Sequence, residues 1–500
     1  MSDYKIDYEI LTPEKLQKRL ENIMFNPENK FKVVKLDDLG HTSCGFSIEH
    51  YSIGNGPFHI TYMGGAHGNE IIGVDFVTQL MQNLALGINN FVNFDPNLFT
   101  IDFIPVQNPE GFAVTTYALD SVMKNMSDEE IERFSKNYWS LFRLDDQNVL
   151  KVNKMLGVIC DKFLMDKNKV INRFWLYFQG QDITKESVKN YLESTYGISG
   201  IDSVFDEVLD KNISKIRKHS DIFNVVTPEV IPEVSEAHVN LKNKIMKMFS
   251  ENDFPLGSLA NFYANSNGVN LNDNNPLYYE IMKKQIFDDG AILGNLRDNH
   301  ITKSVVGPIG MANYDMDKEF RFELENEALL NYLEKLDRSG GNMAFFNCHG
   351  TGGLLYIYPV FERDMEKAHA EGVTSDFSFF INSRIATEYT NATGEEYKRK
   401  TGKFDPYKTM GHPNKVTGVG DLLRQKYIAS FILELSKMGG NPIAPYGDRD
   451  GNYNLTMTSN FAAFSKTLET ILSIRYLYES SYKMSYDEFG RVHYEEVLRK

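Results

Sequence analysis

The stretch from Phe58 to Phe112 changes its hydrophobic period twice, and that constrains the fold more than any other feature of the chain. Phe58 to Met63 alternates as Phe-His-Ile-Thr-Tyr-Met, the period of a strand. Gly64 and Gly65 follow, and then Ile72, Phe76, Leu80 and Leu84 recur at helical spacing. Alternation returns in NLFTIDFIPVQNPEGF, Asn97 to Phe112. Strand, helix and strand in that order predict an α/β sheet with at least some parallel pairing. The first junction, GGAHGNE, sets His67 and Glu70 three residues apart, just where one period gives way to the other.

From about Tyr117 to Glu251 the texture is helical. Ser127 and Glu130 have capping-box spacing, and apolar residues recur at Ile131–Phe134–Tyr138–Leu141, Val188–Tyr191–Leu192, Phe205–Val208–Leu209 and Leu241–Ile245–Met248. Phe174 to Phe178, FWLYF, is the one strand-like run in this part. Strand and turn signals resume in NMAFFNCHGTGGLLYIYPVF and YIASFILELSKMGGNP, and Phe461 to Tyr478 has the face of a closing helix. The expected organisation is a first part of an α/β domain at 1–116, a mostly helical insertion at 117–255, and the remainder of the α/β domain at 256–500. The fold class is α/β.

A formal charge of −15 over 500 residues, with no long basic run, argues against nucleic acid or an anionic membrane as the main partner. The longest apolar-looking segment, Ile71 to Ile88, is broken by Asp75, Gln79, Gln82 and Asn83, too polar to span a bilayer. The first twenty residues carry no signal-type apolar stretch. Three scattered cysteines (Cys44, Cys160, Cys348) suit a reducing compartment, so a cytoplasmic location is expected.

Catalytic zinc sites commonly combine histidines with a carboxylate and keep one position for water. His67 and Glu70 have a spacing that lets both reach one ion from a strand-to-helix turn. Spacing alone is unspecific, since His493 and Glu496 repeat it in the charged tail RVHYEEVLRK. Glycines and a preceding strand distinguish the first copy. A third ligand is offered by His349, which follows the apolar strand MAFFNC and so sits at a strand C-terminal end, where open α/β sheets gather their functional groups.

In order along the chain, GGAHGNE, QNPEGF, NGVNLNDNNP, FFNCHGTGGLLYIYP and IASFILELS resemble the zinc carboxypeptidase family of metallopeptidases. The resemblance covers roughly residues 58–112 and 262–478. It implies a mixed central sheet flanked by helices, and one zinc ion with His67, Glu70 and His349 as ligands. It also implies a glutamate that takes a proton from zinc-bound water and hands it to the leaving amine. Glu434 in the β-like run SFILELS suits that role; Glu469 in FSKTLETIL lies in helical periodicity and is expected to be a helix-surface acid.

One element departs from the family. The GVNLN segment normally ends in Asn-Arg, a pair that grips the substrate's terminal carboxylate; here Asn272 is followed by Asp273. An anion in place of a cationic clamp would repel a free α-carboxylate. The family's oxyanion-stabilising arginine has rough positional counterparts in Lys124 and Arg143, and its mobile tyrosine in His412 or Tyr407. The expected function is zinc-dependent hydrolysis of a peptide or modified-peptide amide bond, with an atypical pocket for the substrate C-terminus. The alternatives are an aspartoacylase- or desuccinylase-like amidohydrolase, which GGAHGNE also fits, and a non-catalytic zinc-binding scaffold. The oligomeric state is not legible.

Overall fold

The computed structural model describes residues 4–174, 184–200, 223–251, 256–274, 321–357, 376–411, 429–436, 443, 453–486 and 492–496, apart from short gaps within them that include Asp273 and Arg143. Among the described residues, eight strands form one mixed sheet: β1 (Val33–Lys35), β2 (Tyr51–Gly54), β3 (Phe58–Met63), β4 (Phe99–Ile104), β5 (Asn342–Thr351), β6 (Leu354–Ile357), β7 (Lys408–Gly411) and β8 (Ser430–Ser436). Their spatial order is β1-β2-β4-β3-β5-β8-β6-β7. The centre, β4-β3-β5-β8, is parallel, and antiparallel pairs join it to β2 on one side and β6 on the other. The α/β alternation of the sequence thus yields a mixed central sheet flanked by helices.

Period-two alternation decides what each face buries. Ile60 and Tyr62 of β3, with Phe346 and Cys348 of β5, enter the larger core, which also holds apolar residues of helices α2 (Ile71–Ala85) and α3 (Pro109–Met123). Met63 and Phe345, one residue out of phase, face a smaller cluster with Ile104 and with Leu329, Leu330 and Leu333. These three leucines follow the helical period of a helix spanning Leu324–Arg338. Every residue of α2 is buried, so this helix is a core element and its helical period marks no polar face.

The helical part is less separate than its sequence texture suggests. The boundary expected at 116/117 falls inside α3, which is continuous from Pro109 to Met123. Helix α4 (Asp128–Phe142) and helix α7 (Glu236–Glu251) contribute Phe134, Tyr138, Leu241, Ile245 and Phe249 to the main core. Between them, α5 (Asp146–Lys162) and α6 (Lys185–Tyr196) bury Val152, Leu156, Ile159, Val188 and Leu192 in a core of their own. Phe174, expected in a strand, is helical and belongs to that second core. The rest of FWLYF and the Phe205–Leu209 pattern lie outside the described residues. The Ser127–Glu130 capping box forms as its spacing predicts, with Glu130 Oε2 accepting from Ser127 N at 2.8 Å and Ser127 Oγ from Glu130 N at 3.3 Å.

Further along the chain, the helix at Leu324–Arg338 (α8) is followed by α9 (Asp376–Thr401) and α10 (Asn454–Ser481), which pack against each other. A hairpin of β9 (Tyr482–Tyr486) and β10 (Val492–Glu496) holds His493 and Glu496, well apart in sequence from the central sheet. Among the described residues no helix is long and apolar enough to cross a membrane.

Candidate metal centre

Strand β3 ends at Met63 and the chain turns sharply. Gly65 adopts φ +62°, a left-handed conformation that side chains with a Cβ rarely accept. A Cβ on Gly68 would lie 2.3 Å from the backbone of Gly111, so this turn packs directly on the start of α3. The two turns are bonded as well: Gly64 O accepts from Gln107 N and Gly65 O from Asn108 N, each at 2.9 Å. Asn108 caps α3 by accepting from Gly111 N at 2.8 Å. The glycines thus let the β3–α2 and β4–α3 turns close on one another and fix where His67 and Glu70 project.

Glu70 occupies the N-cap position of α2 yet makes no side-chain capping bond. Its carboxylate faces two imidazoles instead: Glu70 Oε2 lies 3.0 Å from His67 Nδ1 and 2.7 Å from His349 Nδ1. The two Nδ1 atoms are 3.2 Å apart. His67, Glu70 and His349 are all buried, and among the described residues they are the one group of three such side chains whose ligand atoms lie within 4.8 Å of one another. For comparison, ligands about 2.1 Å from a shared tetrahedral zinc are roughly 3.4 Å apart.

The tautomer of His67 follows from its surroundings. Asn270 Oδ1 accepts the backbone N–H of Asn272 at 3.0 Å, so the atom that meets His67 Nε2 at 3.2 Å is an oxygen. His67 must donate from Nε2, which leaves the Nδ1 lone pair aimed at the centre. That is the arrangement metal-binding histidines use, with the outer nitrogen held by an acceptor. His349 lacks such a partner: its buried Nε2 has none among the described residues.

Electrostatics agree with a site built for a cation. Burial works to raise the Glu70 carboxyl, but the facing His67 and His349 imidazoles outweigh it and hold the acid well below the usual carboxylate range. Burial lowers His67. Burial also acts to lower His349, but Glu70, aided by Glu434, raises it above the ordinary imidazole value. Two buried imidazoles and a buried carboxylate, with one imidazole locked as an inward lone pair, are a donor set that fits a zinc-class divalent ion.

Glu434 stands beside this group. It is the register partner of His349 across the parallel β5–β8 pair and of Leu354 across β8–β6. Registered partners project to the same side of a sheet, so Glu434 shares the face of His349, whereas Leu433 and Leu435 point into the large core. Glu434 is half-buried. Glu469 is a helix-surface acid as its periodicity suggests, in α10 and paired with Lys466 at 2.7 Å.

The other sequence candidates are placed as follows. Asn272 is half-buried on the loop that carries Asn270. Lys124 is exposed at the C-terminal end of α3, the opposite end of a 15-residue helix, roughly 22 Å long, from the turn that packs on Gly68. The structure does not bring it to the His67–Glu70–His349 group, because α3 is continuous from that turn to its far end. Tyr407 is buried, with its hydroxyl held by Leu435 O and by Asn460 Nδ2, so it is a fixed core residue where a mobile one is expected. Asp273, Arg143 and His412 lie outside the described residues.

Two residues that sequence reasoning did not single out complete the site. Asn270 orients His67, and Tyr263 stacks on the His67 ring, with centroids 3.7 Å apart and planes at 23°. Asn270 was within reach of a closer reading, standing two residues before Asn272 in GVNLN. Tyr263 gave no signal, because its contact joins positions nearly two hundred residues apart.

The segment 27–153 matches the family model of the zinc carboxypeptidases. A comparison with curated proteins finds no match. Among solved structures, the chain is similar to thrombin-activatable fibrinolysis inhibitor (10% identity, TM-score 0.45, covering 92% of this chain and 74% of that one). It is similar also to the bovine form in complex with tick carboxypeptidase inhibitor (12%, TM-score 0.41, 93% and 98%). A third is carboxypeptidase A from Helicoverpa armigera (11%, TM-score 0.40, 93% and 74%). The matched segment contains His67, Glu70 and the Asn-Pro-Glu-Gly turn, and the resemblance to the zinc carboxypeptidases therefore stands on more than the motifs alone.

Proposed function

We propose that this protein is a zinc-dependent hydrolase of peptide or modified-peptide amide bonds, working by a carboxypeptidase-like mechanism. The observation that carries the reading is the convergence of His67, Glu70 and His349, with Glu434 in register beside His349 on the same sheet face. When bound by these three residues, a zinc ion would supply an acidified water and polarise the scissile carbonyl.

The chain's own groups do the rest. His67 and His349 present neutral nitrogens, and Glu70 presents a carboxylate. The turn glycines set the backbone that carries His67 and Glu70, and Asn270 fixes the tautomer of His67. Glu434 takes the proton from water at its carboxylate oxygen and returns it to the leaving nitrogen, general base and then general acid. Asn272 offers its amide to the substrate. With Asp273 next to it, the pocket favours a substrate end that is neutral or cationic over a free α-carboxylate. Replacing Asp273 by Arg is expected to shift preference towards ordinary free C-termini in a peptide panel; an unchanged panel would refute that pocket. The three cysteines are buried and in no disulfide, which supports a reducing, cytoplasmic setting.

The test is cleavage of a peptide library read by mass spectrometry, with wild type and Glu434→Gln loaded with zinc. The glutamine variant is expected to bind zinc normally and to lose turnover by a factor of about 10² to 10⁴. Unchanged turnover would remove Glu434 from the mechanism. Cleavage of N-acyl amino acids alone would favour the amidohydrolase, and no hydrolysis by the zinc-loaded wild type would favour a scaffold.

A further inference from the structure

We propose that Tyr263 is a positioning residue that sets the ring plane of His67 and thereby the affinity of the centre for zinc; this rests on the metal-site reading above. A hydrogen bond from Nε2 to Asn270 fixes the tautomer of His67. It leaves the ring free to rotate about the line between its Cβ and that bond, because the terminal torsion of histidine is broad. Rotation about that line swings Nδ1 out of the plane in which Glu70 and His349 meet it. The Tyr263 ring, lying 3.7 Å away and nearly parallel, removes this freedom.

The tyrosine is itself held in place from both sides. Its carbonyl accepts from Gly68 N at 3.1 Å, which ties it to the very turn that carries His67. The preceding residue is bonded twice to one threonine: Phe262 N donates to Thr115 Oγ1 at 3.1 Å and Phe262 O accepts from it at 2.9 Å. Three residues on, Ser266 N donates to the buried carboxylate of Glu110 at 3.0 Å. Tyr263 is half-buried, and the backbone around it is bonded on both flanks.

The contact has a second consequence. Binding a divalent ion draws electron density from the imidazole and makes its face more positive. The electron-rich face of a phenol ring stabilises that polarised state more than the metal-free one, as it does for a cation over an aromatic ring. Orientation and polarisation both favour the loaded site, so zinc affinity changes beyond any packing the ring supplies to the metal-free fold.

The experiment titrates zinc into metal-free full-length protein in competition with a chromophoric chelator, for wild type, Tyr263→Phe, Tyr263→Leu and Tyr263→Ala. Cobalt absorption spectra of each report ligand geometry. Tyr263→Phe is expected to match wild type, because the ring face is kept. Tyr263→Leu and Tyr263→Ala are expected to bind zinc about 10- to 100-fold more weakly, the range for outer supports of metal ligands, with a changed cobalt spectrum. The melting temperature of the metal-free Tyr263→Phe protein should match wild type, and any loss in Tyr263→Leu and Tyr263→Ala should be smaller in the metal-free than in the zinc-loaded protein. Equal zinc affinity across the series would overturn the inference while leaving the metal site standing. A wild type that binds no zinc would overturn both.

Discussion

Glu325, in the first turn of α8, provides a sharp test of how the site loop is held. It is fully buried, and its Oε1 accepts from Asn265 Nδ2 at 3.3 Å while its Oε2 has no partner among the described residues. Asn265 organises the loop that carries Tyr263 and Asn270, accepting from Asn267 N and Val269 N at 3.1 and 3.0 Å. Burial, then the Glu110 carboxylate, then Glu323, push the Glu325 acid up to about 8 from an ordinary 4.5.

An acid whose folded value is raised costs nothing below its unfolded value, and the cost grows as pH rises until it levels off above the folded value. For Glu325 the cost to folding is roughly 1 kcal/mol at pH 5, roughly 3 kcal/mol at pH 7 and roughly 5 kcal/mol by pH 9. Glutamine keeps the carbonyl acceptor and places a permanent donor where the acid proton sits. Glu325→Gln should therefore stabilise the protein, and by more at pH 9 than at pH 5. Denaturant midpoints of wild type and variant, compared at pH 5, 7 and 9, read this directly. A destabilised variant, or a difference that does not grow with pH, would refute the reasoning.

Other perturbations have equally definite outcomes. Asp102 is buried between His50 Nε2 at 3.1 Å and His59 Nδ1 at 2.6 Å. Burial would raise its carboxyl, but those bonds hold it low, so its stabilising contribution is present at neutral pH and is lost only as pH falls below the usual aspartate range. Asp102→Asn is expected to lose about 1.5–3 kcal/mol at pH 7, with the difference from wild type closing in strong acid, as read by melting curves. The buried pair Arg19–Asp75, 3.0 Å apart, ties α1 (Pro13–Met24) to α2, so Arg19→Met leaves Asp75 without its counter-charge and should cost about 3–5 kcal/mol, largely restored in Arg19→Met/Asp75→Leu. Asn270→Ala removes the acceptor that fixes the His67 tautomer and should weaken zinc about 10- to 100-fold in a chelator competition.

The elements that place the His67–Glu70–His349 group were legible because each has a strong local period. Phe58–Met63 and Asn97–Ile104 alternate and Ile71–Ala85 has helical spacing, which places His67 and Glu70 at the junction, while His349 follows the apolar run MAFFNC and Glu434 lies in SFILELS. The support of the site was not legible, for a physical reason. Tyr263, Asn265 and Asn270 lie on a polar loop whose shape depends on Glu110, Glu323 and Glu325, groups that are distant in sequence. The helical stretch misled at its first boundary, because α3 keeps one apolar period across Tyr117 while serving both the sheet and the following helices. Helix α9 and strand β7 carry no period strong enough to be read, and they are defined by what packs on them.

Zinc titration of the metal-free protein tests the central claim most directly. One ion should bind per chain, and His67→Ala and His349→Ala should each abolish tight binding, while His493→Ala should change nothing. Tight, unchanged binding by the His67→Ala/His349→Ala double variant would contradict the account.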